Sequence, residues 1–91
     1  MRRLFRHKQF KKDFLKVRST DQQTEKLFLY IAALLEEKTL PPESRDHPLT
    51  GEWRDFREFH LGGDLLLIYK LDGDRITLAR IGSHAQLFKK M

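Results

Sequence analysis

"EFHLGGDLLLIYKLDGDRITLARIGSHAQLF", residues 58–88, decides the fold of this chain. Two turn signals cut it into three extended runs. Gly62-Gly63 separates a strand, Glu52–Leu61, from a second, Asp64–Leu71. Asp72-Gly73 is a hairpin dipeptide that sends the chain back as Arg75–Ile81. The middle run is almost wholly apolar, as a strand buried on both faces must be. After it, Ser83 stands as a helix N-cap with Gln86 three residues on, a capping box that predicts a short turn through Phe88.

Working toward the N-terminus, Thr39–Gly51 is irregular and long for a compact domain, and Pro48 biases His47 toward extended backbone. Before it, Thr20 and Gln23 form a second capping box. Leu27, Ile31, Leu34 and Leu35 follow at helical spacing, and that helix should fail near Lys38–Leu40, ahead of Pro41-Pro42. Phe10, Phe14 and Val17 give a first helix an apolar stripe, and Arg3–Arg6 reads as a short strand. All these stripes are expected in the core, with Trp53 and Phe56 packing the sheet. The order is β-α-α-β-β-β. It is an α+β fold in one domain over residues 1–91, two helices packed on a mostly antiparallel four-stranded sheet.

The 91 residues leave room for one core. With no cysteine there is no disulfide framework and no thiolate metal site, which suits a reducing cytosol. No secretory leader and no membrane-spanning run is legible. The net charge of +5 is sorted: residues 1–18 carry eight Lys/Arg against one acid, and the remainder is slightly acidic. Lys8, Lys11 and Lys12 thus build a basic first helix, and nucleic acid is the first soluble polyanion such a face attracts.

Strand direction gathers the titratable groups. The end of the first meander strand, the start of the second and the end of the third share one sheet edge. His60, Asp64 and His84 should therefore meet at that rim, while His47 starts at the opposite end on a loop long enough to fold back. Histidines beside a basic face suit RNA cleavage by internal transesterification. One takes the 2′-OH proton, another protonates the leaving 5′-oxygen, and an unperturbed pKa of about 6.5 serves both roles. Asp64 would orient an imidazole. No cofactor and no metal is required, although His47, His60, Asp64 and His84 are all possible zinc ligands without a tight zinc spacing.

"DHPLTGEWRDFREFH" (46–60), "LGGDLLLIYKL" (61–71) and "GSHAQLF" (82–88) together resemble the YafQ-like branch of the RelE/ParE toxin superfamily. The resemblance implies a cytoplasmic, ribosome-dependent mRNA endoribonuclease, the toxin of a type II toxin–antitoxin pair, cutting messages in the ribosomal A site. It implies a cognate antitoxin that folds as it covers the toxin, in a heterotetramer of two toxins and two antitoxins. Matched by motif, His47, His60, Asp64 and His84 are implied to be catalytic and Phe88 to contact substrate. Arg57 is the candidate for phosphate charge, with a structural ion pair as the competing reading. Leu65 stands where some members carry tryptophan, so codon preference does not transfer. The alternative is a non-enzymatic, gyrase-inhibitor-like binding toxin on the same fold.

Overall fold

The computed structural model describes residues 1–88. Its elements run β1 (Arg3–Arg6), α1 (Lys8–Lys16), α2 (Asp21–Leu35), β2 (His47–Pro48), β3 (Arg57–Gly62), β4 (Leu65–Asp72), β5 (Arg75–Ser83) and α3 (His84–Leu87). The sheet has five strands in the order β1-β5-β4-β3-β2, one more than expected, because the loop before β3 contributes the two-residue β2. Among the described residues only the β1–β5 pair is parallel. The order and turns of the meander are as read, and Gly73 at φ +63° supplies the left-handed turn residue between β4 and β5.

Helices α1 and α2 cover one face of the sheet. Phe10, Leu27, Tyr30 and Leu34 pack there against Phe59, Leu61, Leu67, Tyr69, Ile76, Leu78 and Ile81. The other face carries a smaller cluster of Leu66, Ile68, Ala79 and Leu87, flanked by Leu49, Trp53, Phe56 and Phe88. β4 supplies both clusters and is buried on both faces, as its composition required. Each large side chain wholly buried there contributes about 1.5–3 kcal/mol.

Three local expectations need correction. Helix α2 stops at Leu35, earlier than the prolines suggest. Glu37 turns left-handed at φ +62°, with Glu37 N–H donating to Leu34 O and Lys38 N–H to Ala33 O, the bond pair of a Schellman motif. Phe14 is 47% exposed rather than core. Asp13, one step round the helix, makes the contact with β5 instead, and Phe14 stacks on Phe10 at the margin. Strand β3 begins at Arg57, not Glu52, because Gly51–Trp53 coils into a 3-10 turn. A strand would send Trp53 and Phe56, three apart, to opposite faces. The coil brings both onto the second cluster, where they do pack the sheet as expected.

Both capping boxes form: Thr20 with Gln23, and Ser83 with Gln86. Among the described residues no helix is long and apolar enough to cross a membrane.

Candidate active site

The face of the sheet away from α1 and α2 holds the polar chemistry. In β3, Phe59 and Leu61 point to the helices, so Glu58 and His60 point the other way. β2 runs antiparallel to β3 with His47 opposite Glu58, which returns the loop histidine to this face. The two imidazoles lie nearly parallel, their centroids 6.1 Å apart.

Glu58, only 3% exposed, sits between them. Its Oε2 is 3.2 Å from His47 Nε2 and 3.1 Å from His60 Nε2. His47 Nδ1 lies 2.7 Å from the Arg45 carbonyl, which can only accept, so Nδ1 carries a proton. The contact from His47 Nε2 to Glu58 is then a hydrogen bond when either the second ring nitrogen or the Glu58 carboxyl carries a proton. His60 can donate to the same oxygen while neutral. The arrangement is a carboxylate shared by two imidazoles, a geometry that can hold a proton and pass it.

Glu58 was missed in the sequence. The available signal was Glu-Phe-His: residues two apart on a strand share a face. Its role, however, depends on the return of His47 through β2, which no local pattern announces.

The rim derived from strand direction exists, since Gly62 pairs with Leu65 and Leu65 with Ser83. His84, the first residue of α3, leaves this rim exposed to solvent with its ring 4.7 Å from that of Phe88. Phe88 leans on Trp53 at 5.9 Å. Asp64 is at the rim too, but it hydrogen-bonds no histidine among the described residues. It lines a groove of about 620 Å³ with Arg80, Lys16 and Gln86. The carboxylate beside the imidazoles, among the described residues, is Glu58 and not Asp64.

Arg57 faces away from the imidazoles, opposite Tyr69 on the covered side. Its guanidinium donates to both Asp46 oxygens at 3.4 and 3.3 Å, and Tyr69 Oη–H donates to Asp46 at 2.5 Å. Burial and the Asp46 carboxylate together keep the Tyr69 phenol protonated well above its ordinary range. Arg57 therefore makes the structural ion pair. Lys8, Lys11 and Lys12 lie on the solvent side of α1, while Gln9, Asp13 and Lys16 face the grooves.

Arg80 is a cation that this face does carry, in line with Glu58. A bulge in β5 lets Ile68 pair with Arg80 and Tyr69 with Leu78, leaving Ala79 between them. Glu58, Ile68 and Arg80 thus form one cross-strand row, about 10 Å from end to end. Asp13 anchors the guanidinium at 2.7 and 3.2 Å and also accepts from Ile81 N–H. Burial pushes the Asp13 carboxyl up, but the hydrogen bonds from Arg80, Gln9 and Ile81 outweigh it and leave it below the usual carboxylate value.

One nitrogen from each of His47 and His60 and one oxygen of Glu58 lie within 4.8 Å of one another. Glu58 Oε1 is buried without a hydrogen-bond partner. This three-residue donor set, mixed nitrogen and oxygen, fits a first-row transition metal. It differs from the set read in the sequence, for Asp64 and His84 are not in it.

The same architecture occurs in proteins already known. A solved structure of a copper-bound mutant toxin from Helicobacter pylori is 38% identical, covers 97% of this chain and 100% of its own, and superposes with a TM-score of 0.85. The Escherichia coli DinJ-YafQ complex gives 32% identity, coverage of 97% and 99%, and a TM-score of 0.83. The mRNA interferase toxin YafQ of Escherichia coli K12 is 38% identical over 82 residues, 88% of each chain. The family model for the bacterial toxin of type II toxin-antitoxin system, YafQ, matches residues 2–89, and the chain belongs to that family.

Proposed function

We propose that this protein is a ribosome-dependent mRNA endoribonuclease, the toxin of a type II toxin–antitoxin pair, acting by histidine acid/base transesterification. One observation carries the reading: Glu58 held between His47 and His60, on the same sheet face as Arg80 and at the same rim as His84. A toxin that only binds its target has no use for a carboxylate shared by two imidazoles. The relative named an mRNA interferase supports the substrate class, and the DinJ-YafQ complex supports an antitoxin partner.

The chemistry follows from the donors. A histidine accepts the proton of a ribose 2′-OH, and the freed oxygen attacks the adjacent phosphorus. The P–O5′ bond breaks as a second histidine gives its proton to the leaving oxygen, and a 2′,3′-cyclic phosphate results. The His47–Glu58–His60 group serves one transfer and His84 the other, each worth about 10²–10⁴ in rate. Arg80, held by Asp13, offsets charge on the five-coordinate phosphorane. Phe88 presents a flat ring beside His84 for a base. Asp64 supports the rim through the Arg80 groove rather than through a histidine.

The copper-bound relative raises the donor set of His47, Glu58 and His60 as a metal position here also. A bound ion would supply Lewis-acid charge. In the reaction proposed, these residues instead hold and move protons.

Primer-extension mapping of cleavage in a translating extract tests the reading. Wild-type chain should produce breaks within translated codons that persist when a transition-metal-selective chelator is added at unchanged magnesium. His84→Gln and His60→Gln should each remove them by at least about 10²-fold while unfolding as wild type. Breaks that survive both substitutions, or vanish with chelator alone, overturn it.

A further inference from the structure

The open face does not end at the histidines. Beyond Trp53 it runs into a second groove of about 500 Å³, which none of His47, Glu58, His60 and His84 lines. Thr77 and Ala79 of β5 lie along it, and Trp53 and Phe56 are its aromatic members. Four cationic or titratable groups face it, namely His7, Lys70, Arg75 and Arg80, against Asp72 as the one lining carboxylate.

Those cations are not equivalent. Arg80 is tied to Asp13, and the Arg75 guanidinium lies over the Phe5 ring at 4.1 Å. His7 spends Nδ1 accepting from Gln9 N–H at the start of α1. Lys70 has no ion-pair partner among the described residues, and its Nζ sits 5.8 Å from the centre of the Phe56 ring. A free ammonium beside aromatic rings is the combination that holds a single-stranded nucleotide, phosphate to cation and base to ring.

The groove is also continuous with the site. Phe88 touches both His84, at 4.7 Å, and Trp53, at 5.9 Å, and Trp53 meets Phe56 at 5.2 Å. Arg80 lines this groove as well as the one that contains Asp64. Phe88, Trp53 and Phe56 thus form a continuous run of rings from His84 to Lys70.

We propose that this groove is a subsite for a nucleotide of the substrate RNA flanking the cleaved bond, with its base against Trp53 and Phe56 and its phosphate on Lys70. The assignment rests on the endoribonuclease reading above. It makes Lys70 a determinant of RNA affinity, distinct from the residues that transfer protons.

The test compares wild type, Lys70→Gln and Lys70→Arg with a fluorescent eight-nucleotide 2′-O-methyl RNA, which lacks the attacking hydroxyl, at several salt concentrations. Lys70→Gln should bind about tenfold more weakly. The slope of log affinity against log salt should fall by about 0.7, the value for one phosphate contact on a single strand. Lys70→Arg should restore both. A similar tenfold rise is expected in the toxin concentration that half-cleaves a message in a translating extract, a readout independent of binding to free RNA. Lys70→Met, which keeps an unbranched apolar stem near Phe56, replaces the Gln variant if that one unfolds. If wild type cleaves messages and Lys70→Gln matches it in affinity, slope and half-cleaving concentration, the groove serves something else, such as a protein partner, and the assignment is overturned. If wild type neither binds nor cleaves, the endoribonuclease reading has itself failed.

Discussion

Strands β3, β4 and β5 present two faces made from alternate residues of the same chain, and the two could hardly differ more. The face under α1 and α2 is a continuous apolar layer in which Phe59, Leu67, Tyr69 and Ile76 have no exposed surface. The opposite face has only Leu66, Ile68 and Ala79 from the strands, and sets among them Glu58, His60, Lys70 and Arg80. One face closes the fold, which frees the other to hold polar groups that packing alone would not choose. In a sheet of period two, neighbouring residues can therefore be under opposite demands.

Phe59 and Glu58 make that contrast sharpest, because they are adjacent and point apart. Phe59→Ala removes a wholly buried ring that meets Tyr30 edge-on at 5.4 Å and Tyr69 at 5.6 Å. It should cost about 3–5 kcal/mol, enough to unfold much of a small domain, read as a lowered urea midpoint. Glu58→Gln keeps the shape but removes the charge shared by His47 and His60. Cleavage per folded molecule should fall about 10²-fold, while the urea midpoint moves by less than about 1 kcal/mol in stability. Should Glu58→Gln unfold the protein and leave specific activity unchanged, the open face is merely another core.

A smaller effect separates the faces at their shared edge, where Asp13 of the covering helix reaches Arg80. The carboxyl is held below its ordinary value of 3.8, so its stabilising contribution is fully present above that pH and is lost as pH falls through the depressed value. Acid unfolding should therefore steepen below about pH 4 in wild type and flatten there in Asp13→Asn. At neutral pH the variant should lose about 1–2 kcal/mol, measured by thermal unfolding. A greater loss of cleavage than of stability would show that Asp13 also fixes Arg80 for the reaction.

What the sequence disclosed divides along the same line. The covered face was legible because it rests on short-range rules: capping boxes at Thr20 and Ser83, turn residues at Gly62-Gly63 and Asp72-Gly73, apolar spacing in α2 and β4. The rim shared by His60, Asp64 and His84 followed from strand direction alone. The assignment of roles there did not follow, because it turns on pairings with no local signature. β2 is two residues long yet sets His47 beside Glu58, and the bulge at Ala79 sets Arg80 opposite Ile68. Arg57 is a different case. Alternation from Phe59 already turns it toward the helices and away from the histidines, but its pairing with Asp46 depends on the same return of β2.

The mildest perturbation asks whether α3 belongs to the fold or to the site. Gly82 pairs with Leu66 under α3, and a Cβ there would lie 2.9 Å from Gln86 Oε1 and 3.2 Å from Leu87 Cδ2. Gln86 is the flexible end of the capping box and Leu87 the anchor of the turn, so Gly82→Ala should lift α3 by a few tenths of an ångström rather than break it. Stability should fall by about 0.5–1 kcal/mol, from the weakened cap alone. Cleavage should fall further than that, by about three- to tenfold, because His84 rides on the first residue of the displaced turn and proton transfer needs hydrogen-bond reach. Equal small losses would make α3 a plug for the second cluster. An excess loss of activity, measured at a temperature where the variant is fully folded, would mean that the plug is there to aim the histidine.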